Sequence, residues 1–120
     1  MPFRRILEEM VRGVEGSIAA LFLDYEGEAI EIVCSGGVSE EIRIVGAYQG
    51  IFLEHLRRIS RSFSWGQPER FKIDLTASRI FSSVVNEDYY VVLIAVPSSN
   101  EGNAWHRIGR CRDALLREIG

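Results

Sequence analysis

The sequence predicts an α+β fold in which a five-stranded antiparallel sheet, ordered 2-1-5-4-3, carries a long helix on one face and the N- and C-terminal helices on the other. Two unbroken apolar runs, residues 18–23 and 89–96, have the length and the β-branched or aromatic content of strands buried on both faces. Residues 70–75 alternate between apolar and charged side chains, as expected nearer an edge. Hairpins separated by helices favour an antiparallel arrangement with helices on both surfaces.

The first quarter of the chain predicts a helix followed by a hairpin. Apolar residues recur at helical spacing over residues 3–12, which indicates a short amphipathic helix that Gly13 ends. Strand 1 follows over 18–23 and strand 2 over 28–34. Between them, the turn ends at Gly27, because glycine tolerates the positive φ that a tight hairpin requires.

The longest predicted element is a helix that begins after Ser39 and ends near Ser62. Ser39 is a suitable N-cap, and acidic residues follow it in the first turn. The apolar side chains form two neighbouring rows: Ile42, Val45, Phe52, Leu56, Ile59 and Phe63 in one, and Ile44, Ala47, Tyr48, Ile51 and His55 in the other. A helix that is apolar over so wide an arc buries more than one face, so we predict that a second copy covers the surplus.

Gly46 and Gly50 lie inside this helix, where each costs about 1 kcal/mol relative to alanine. Either they form a flat spot for a helix of a second copy, or they pack against the chain's own sheet. We favour the intermolecular contact, because the wide apolar arc supports it independently. The predicted dimer interface comprises Ile42, Val45, Gly46, Gln49, Gly50, Phe52, Leu53, Leu56, Phe71 and Ile73.

The second half of the chain predicts three strands, over 69–76, 79–86 and 88–96, and a final helix that Asn103 caps. Because the two buried runs belong side by side in the centre, strand 3 becomes an exposed edge. Phe63 and Trp65 precede this strand in a loop. They form either an exposed aromatic contact or, more often for such residues, a lid that closes the core beneath the loop.

Composition indicates one globular domain over residues 1–120, with 47% apolar and 26% charged residues. A net charge of −3 gives no basic footprint for nucleic acid. The apolar runs are shorter than the roughly 20 residues that cross a bilayer. Acidic residues near the start are unlike a signal peptide, so we expect a cytoplasmic protein without membrane insertion.

We predict no catalytic residue, metal site or cofactor, and hence a protein that is not an enzyme. The sequence contains no Walker-type phosphate loop, and no nucleophile with a fixing carboxylate accompanies His55. Cys34 and Cys111 share no ligand spacing with the histidines and are expected to be small apolar residues.

A basic cluster marks the end of the long helix. It is either a solvated C-terminus whose cations suit the helix dipole, or a docking patch for an acidic partner surface. The residues of this cluster are Arg57, Arg58 and Arg61.

The hairpin over residues 20–30 is similar to a pattern of the roadblock family, the roadblock and dynein light-chain type domains. That pattern is an apolar strand, an aspartate, two residues, a glycine, and a second strand that closes on small residues, here Ser35 and Gly36. The helix opening at Ser39 and the strand over 90–96 also fall where the family has theirs. The order of the elements over nearly the whole chain carries the resemblance.

The resemblance implies a homodimer or heterodimer built from the long helix and strand 3, with one sheet continuous across two chains. It also implies a non-catalytic regulator or scaffold for a small Ras-like GTPase. Two alternatives stay open: a sensor domain of profilin-like or PAS-like type with a small ligand between sheet and helix, and an adaptor that pairs with a sister roadblock domain.

Overall fold

The computed structural model describes residues 2–120 and contains the predicted elements in the predicted order, α-β-β-α-β-β-β-α. The helices are α1 (Pro2–Gly13), α2 (Glu40–Ser60) and α3 (Glu101–Ile119). The strands are β1 (Ser17–Asp24), β2 (Ala29–Cys34), β3 (Arg70–Asp74), β4 (Arg79–Val84) and β5 (Tyr89–Ala95). None of the helices within residues 2–120 is long and apolar enough to cross a bilayer.

The sheet has the order β2-β1-β5-β4-β3, and every neighbouring pair is antiparallel, which confirms the predicted topology. In the central strand β1, Leu21 lies opposite Ile32 of β2 on one side and Val92 of β5 on the other. The strand β3 pairs only with β4 and is an edge, as the alternating pattern of residues 70–75 predicted.

The central strands supply side chains to two separate core layers, which explains their unbroken apolar runs. Phe22 packs beneath α1 and α3 with Leu7 and Ile108. Its neighbour Leu21 points to the other face and packs beneath α2 with Leu53. Fully burying one such side chain contributes about 1.5–3 kcal/mol. The predicted placement of the long helix on one face and the terminal helices on the other is therefore confirmed.

Ser39 caps α2 as predicted. Its backbone is extended, with φ −115° and ψ 156°. The Ile42 N–H donates to the Ser39 hydroxyl oxygen at 3.2 Å, which satisfies one of the amides that the first helical turn leaves without an intrahelical partner. The position of this cap fixes where α2 enters the layer above the sheet.

The cap of α3 differs from the prediction. Asn100, not Asn103, precedes the helix, and its Oδ1 accepts a hydrogen bond from the Asn103 N–H at 2.8 Å. The Asn103 side chain instead donates to the Gly13 carbonyl at 2.8 Å, and so ties the start of α3 to the end of α1. Both asparagines suit a cap by composition, and the contact with α1 decides which one serves.

The strand β4 ends two residues earlier than predicted, at Val84. Asn86 belongs to the turn, where its Oδ1 accepts from the Asp88 N–H at 2.8 Å and the Tyr89 N–H at 2.9 Å. An asparagine that satisfies two backbone donors in this way closes a turn and leaves the ladder.

Candidate protein-interaction surface

The two glycines of α2 pack against the chain's own sheet. A Cβ on Gly46 would lie 2.7 Å from Leu21 Cδ2, and one on Gly50 would lie 2.7 Å from the Tyr90 hydroxyl oxygen. That hydroxyl donates to the Gly46 carbonyl at 2.8 Å. The glycines therefore let α2 approach β1 and β5 closely. The prediction that they form a flat spot for a partner helix is wrong, because the chain's own sheet already covers them.

Gln49 and Leu53 lie on the same sheet-facing side of α2. Leu53 is completely buried, and the Gln49 amide donates to the Val45 carbonyl at 3.1 Å while accepting from the Ser82 hydroxyl at 3.3 Å. Their placement in the predicted dimer interface is likewise corrected: both belong to the protomer core. Val45 and Ile42 are half-buried against that core and present only part of their surface.

The contacts beneath α2 also bear on the sensor alternative, which needs space between the helix and the sheet. Gly46 and Gly50 bring the helix into contact with Leu21 and Tyr90, and Leu53 fills the layer between them. The layer that would hold a ligand is occupied by side chains, which argues against that alternative.

The opposite side of α2 carries an exposed apolar stripe. This outer stripe consists of Ile44, Tyr48, Ile51, His55 and Ile59, which recur at helical spacing. Tyr48 is 53% exposed and Ile51 49% exposed. Four of these residues belong to the second row of the sequence pattern, which the predicted interface omits. The spacing of Gly46 and Gly50 marks a small-residue side of the helix, but it does not say whether that side faces the sheet or a partner, so it leaves the outward row undetermined.

The outer stripe continues onto β3. Phe52 and Leu56 lie between the stripe and the sheet edge, and they line an open apolar depression of about 370 Å³ with His55, Phe71 and Ile73. The Phe52 and Phe71 rings meet edge to face, with centroids 6.3 Å apart. Four residues of the predicted interface are thus brought together on one surface, which also includes the stripe.

The backbone of β3 is unpaired along its outer edge. Leu75 donates to the Ser78 carbonyl at 2.8 Å, and the Glu69 carbonyl accepts from Val84 at 2.9 Å, so the odd-numbered residues of β3 bond to β4. The N–H and C=O groups of the even-numbered residues point outward. Within residues 2–120, no side-chain hydrogen bond reaches them. Such an edge is a template for pairing with another strand.

The opposite edge of the sheet, at β2, is partly covered. The Arg4 guanidinium donates to the Ile32 carbonyl at 3.2 Å and pairs with the Glu31 carboxylate at 3.2 Å. A charged side chain laid along an edge strand discourages strand addition. The two edges therefore differ, and β3 is the one open to a partner.

The three arginines of the predicted basic cluster have different environments: one makes contacts within the fold, and two are exposed. The Arg57 guanidinium donates to the Tyr25 hydroxyl at 2.8 Å, lies 4.1 Å from the centroid of that ring, and pairs with Glu54 at 3.1 Å. Burial raises the pKa of Tyr25 to about 12, against a smaller opposing effect of the arginine. Arg57 thus belongs to the fold, which corrects its assignment to a partner surface. Arg58 and Arg61 remain exposed.

Replacing Arg57 by methionine is expected to lower the free energy of unfolding by about 2 kcal/mol, since it removes hydrogen bonds from a charged donor and leaves the Tyr25 hydroxyl without that partner. Urea denaturation followed by circular dichroism measures the change. The matched control Arg58→Met, one residue away and exposed, is expected to stay within about 0.5 kcal/mol of the parent. Equal losses in both variants would contradict a structural role specific to Arg57.

The remaining residues singled out by composition are a pair of cysteines and an aromatic pair. Cys34 and Cys111 are both free thiols and pack in opposite core layers. Burial raises the pKa of the Cys111 thiol to about 12, which makes it a poor nucleophile. Phe63 and Trp65 do not close the core: both are exposed, in the loop that joins α2 to β3.

No family model matches the sequence, and no curated protein matches it. The structure is nevertheless similar to a roadblock/LC7 domain from Streptomyces avermitilis, with a TM-score of 0.85, 12% identity, and coverage of 96% of this chain and 95% of that chain. It is also similar to the gliding protein MglB from Thermus thermophilus, with a TM-score of 0.85, 14% identity, and coverage of 97% and 87%. An MglB with a tetrameric arrangement gives a TM-score of 0.85 at 16% identity, with coverage of 97% and 88%. The chain therefore has the roadblock fold.

Proposed function

We propose that the protein is a non-catalytic dimer that binds a small Ras-like GTPase and regulates its GTP hydrolysis or its location in the cytoplasm. The observation that carries the proposal is the outer stripe of α2 beside the open β3 edge, on the roadblock fold. A contiguous apolar surface of this kind marks an interaction site in a soluble protein.

A second copy of the chain fits this surface. The stripe carries no acidic or basic side chain except His55, and it adjoins a strand whose outward backbone groups lack partners within residues 2–120. A two-fold axis beside β3 accommodates both features, because it pairs the strands antiparallel and brings the two α2 helices together along the side that carries Phe52 and Leu56, next to the stripes. The tetrameric arrangement of one similar MglB is consistent with self-association in this fold.

The proposed partner of this dimer is a GTPase. The chain has no phosphate-binding loop of the Walker type, so the nucleotide chemistry has to reside in another protein. The resemblance to roadblock domains implies a Ras-like GTPase whose own residues are rearranged, without an arginine donated by the regulator. Arg58 and Arg61, exposed at the end of α2, supply positive charge for an acidic partner surface.

The test is binding and single-turnover hydrolysis with Ras-like GTPases of the same genome, each loaded with GDP or a GTP analogue. We expect at least one to bind in a nucleotide-dependent way. The double variant Arg58→Glu/Arg61→Glu is expected to weaken that binding about tenfold at low salt, because two favourable rim charges become repulsive. The control Arg110→Glu lies on α3, across the sheet, and should bind normally. If none of the GTPases bound in a nucleotide-dependent way, the proposal would be refuted.

A further inference from the structure

An aromatic pair projects from the loop between α2 and β3. Phe63 and Trp65, together called the aromatic wing, stack with ring centroids 5.0 Å apart and planes 13° from parallel. Trp65 is 87% exposed, and Gly66 turns the chain immediately after it with φ +96°. Stacked aromatic side chains supply a large apolar area with little conformational freedom to lose, which suits a contact with another molecule.

A second exposed apolar site lies at the other end of the same surface. Leu75 directly follows β3 and is 52% exposed. Arg57, near the end of α2, donates to the Asn86 carbonyl at 3.3 Å beside the start of β3. The loop that carries the wing leads into the start of β3, whereas Leu75 follows the end of that strand. The wing and this second site therefore occupy opposite ends.

Antiparallel pairing of two β3 strands brings these ends together. Under a two-fold axis, the start of one strand lies beside the end of the other. The wing precedes Arg70, and Leu75 follows Asp74. Each wing is thereby carried to the Leu75 end of the second copy. Leu75 lies on the α2 face of the sheet, because it is four positions after Phe71, which packs on α2. Arg61 and Gln67, which flank the wing, line one depression with Arg57 of α2, so the wing lies on the same side.

The charges of β3 favour one register of this pairing. Arg70 makes no salt bridge within residues 2–120, and its guanidinium lies 4.6 Å from the centroid of the Trp105 ring. Placing Arg70 opposite Asp74 of the second copy creates two ion pairs. In this register Lys72 lies opposite Lys72 of the second copy. Its charge is already compensated within each copy by Glu101 at 2.7 Å and Asp74 at 3.0 Å.

We infer that the aromatic wing docks on Leu75 of a second copy of this chain, so that the two wings hold the two ends of the paired β3 strands. The inference rests on the dimer of the proposed function and adds a contact outside α2 and β3. It accounts for two exposed apolar sites with one symmetry operation, and it assigns the occupant of each.

The environment of Trp65 tests the inference directly. The chain has two tryptophans, so the variant Trp105→Phe leaves Trp65 as the only one. Its emission and iodide quenching are measured over a concentration series alongside sedimentation equilibrium. We expect emission to shift to the blue, and quenching to fall several-fold, as the dimer forms. If Trp105→Phe does not fold, the difference between the parent protein and Trp65→Phe reports the same signal.

Two further variants locate the contact. Leu75→Ser, in the same background, is expected to restore much of the quenching and to raise the dimer dissociation constant about tenfold. Leu116→Ser replaces an exposed leucine on α3 and should change neither. A dimer in which Trp65 stays fully quenched, or in which Leu75→Ser has no effect, overturns the wing contact and leaves the dimer standing. A protein that stays monomeric at every concentration overturns both.

Discussion

Replacing Ile51 by arginine is expected to convert the proposed dimer to a folded monomer. Ile51 lies in the middle of the outer stripe, is 49% exposed in the protomer, and makes little contribution to its core. In the dimer, each subunit would have to bury an unpaired guanidinium, which costs several kcal/mol. We expect the dissociation constant to rise by at least about a hundredfold, which corresponds to about 2.8 kcal/mol. Sedimentation equilibrium measures it, and circular dichroism verifies the fold.

The matched control for this experiment is Ile30→Arg. Ile30 is also an exposed isoleucine, but it lies on β2, at the covered edge of the sheet. The Ile30→Arg variant is expected to leave the dissociation constant of the dimer unchanged. A dimeric Ile51→Arg variant would show that another face mediates association. A parent protein that is monomeric alone, but pairs with a sister roadblock domain, would support the adaptor alternative in place of self-pairing.

Replacing Gly50 by valine is expected to destabilise the protomer by about 3 kcal/mol, near the upper end for overpacked cores. Its Cβ would lie 2.7 Å from the Tyr90 hydroxyl oxygen and 2.9 Å from Tyr90 Cζ. The ring cannot move aside freely, because it is fully buried and packs on Tyr25 with centroids 5.1 Å apart. Either the helix is displaced, or the hydrogen bond from Tyr90 to Gly46 is lost. Urea denaturation measures the change in the free energy of unfolding.

Gly109→Val provides the comparison, because Gly109 is also inside a helix but a Cβ there would meet no atom within 4 Å. Its stability is expected to change by no more than about 0.5 kcal/mol, since valine and glycine differ little in helix propensity. If Gly50→Val instead left unfolding unchanged and weakened only the dimer, the close packing of α2 on β5 would be wrong, and the intermolecular interpretation of Gly50 would be restored.

The type and order of the helices and strands were predictable, because both follow from the spacing of apolar residues and from the capping residues. The unbroken runs placed β1 and β5 in the centre, and Ser39 marked the start of α2. Positions that depend on contacts between distant segments were less predictable. Asn100 and Asn103 are equally good caps by residue type, and only the proximity of Gly13, 90 positions away, assigns Asn103 another role.

The arginines near the end of α2 show the same difference between what local spacing predicts and what distant contacts decide. Arg57, Arg58 and Arg61 form one cluster along the chain, and nothing in their spacing distinguishes them. The structure separates them because Arg57 faces Tyr25, a residue of the first hairpin 32 positions earlier. A side chain committed to such a contact is unavailable to a partner, whereas Arg58 and Arg61 remain exposed.

The sequence alone determined the strands, the helices, the sheet order and the surplus of apolar surface on α2. It did not determine which apolar row of α2 faces the sheet. Adjacent residues of a helix differ by about 100° around its axis, so a rotation of that size about the axis exchanges the two rows. The contacts of Gly46 with Leu21 and of Gly50 with Tyr90 set that rotation, and they join residues far apart in the chain. Only the tertiary structure therefore places Tyr48 and Ile51 outside and the glycines within.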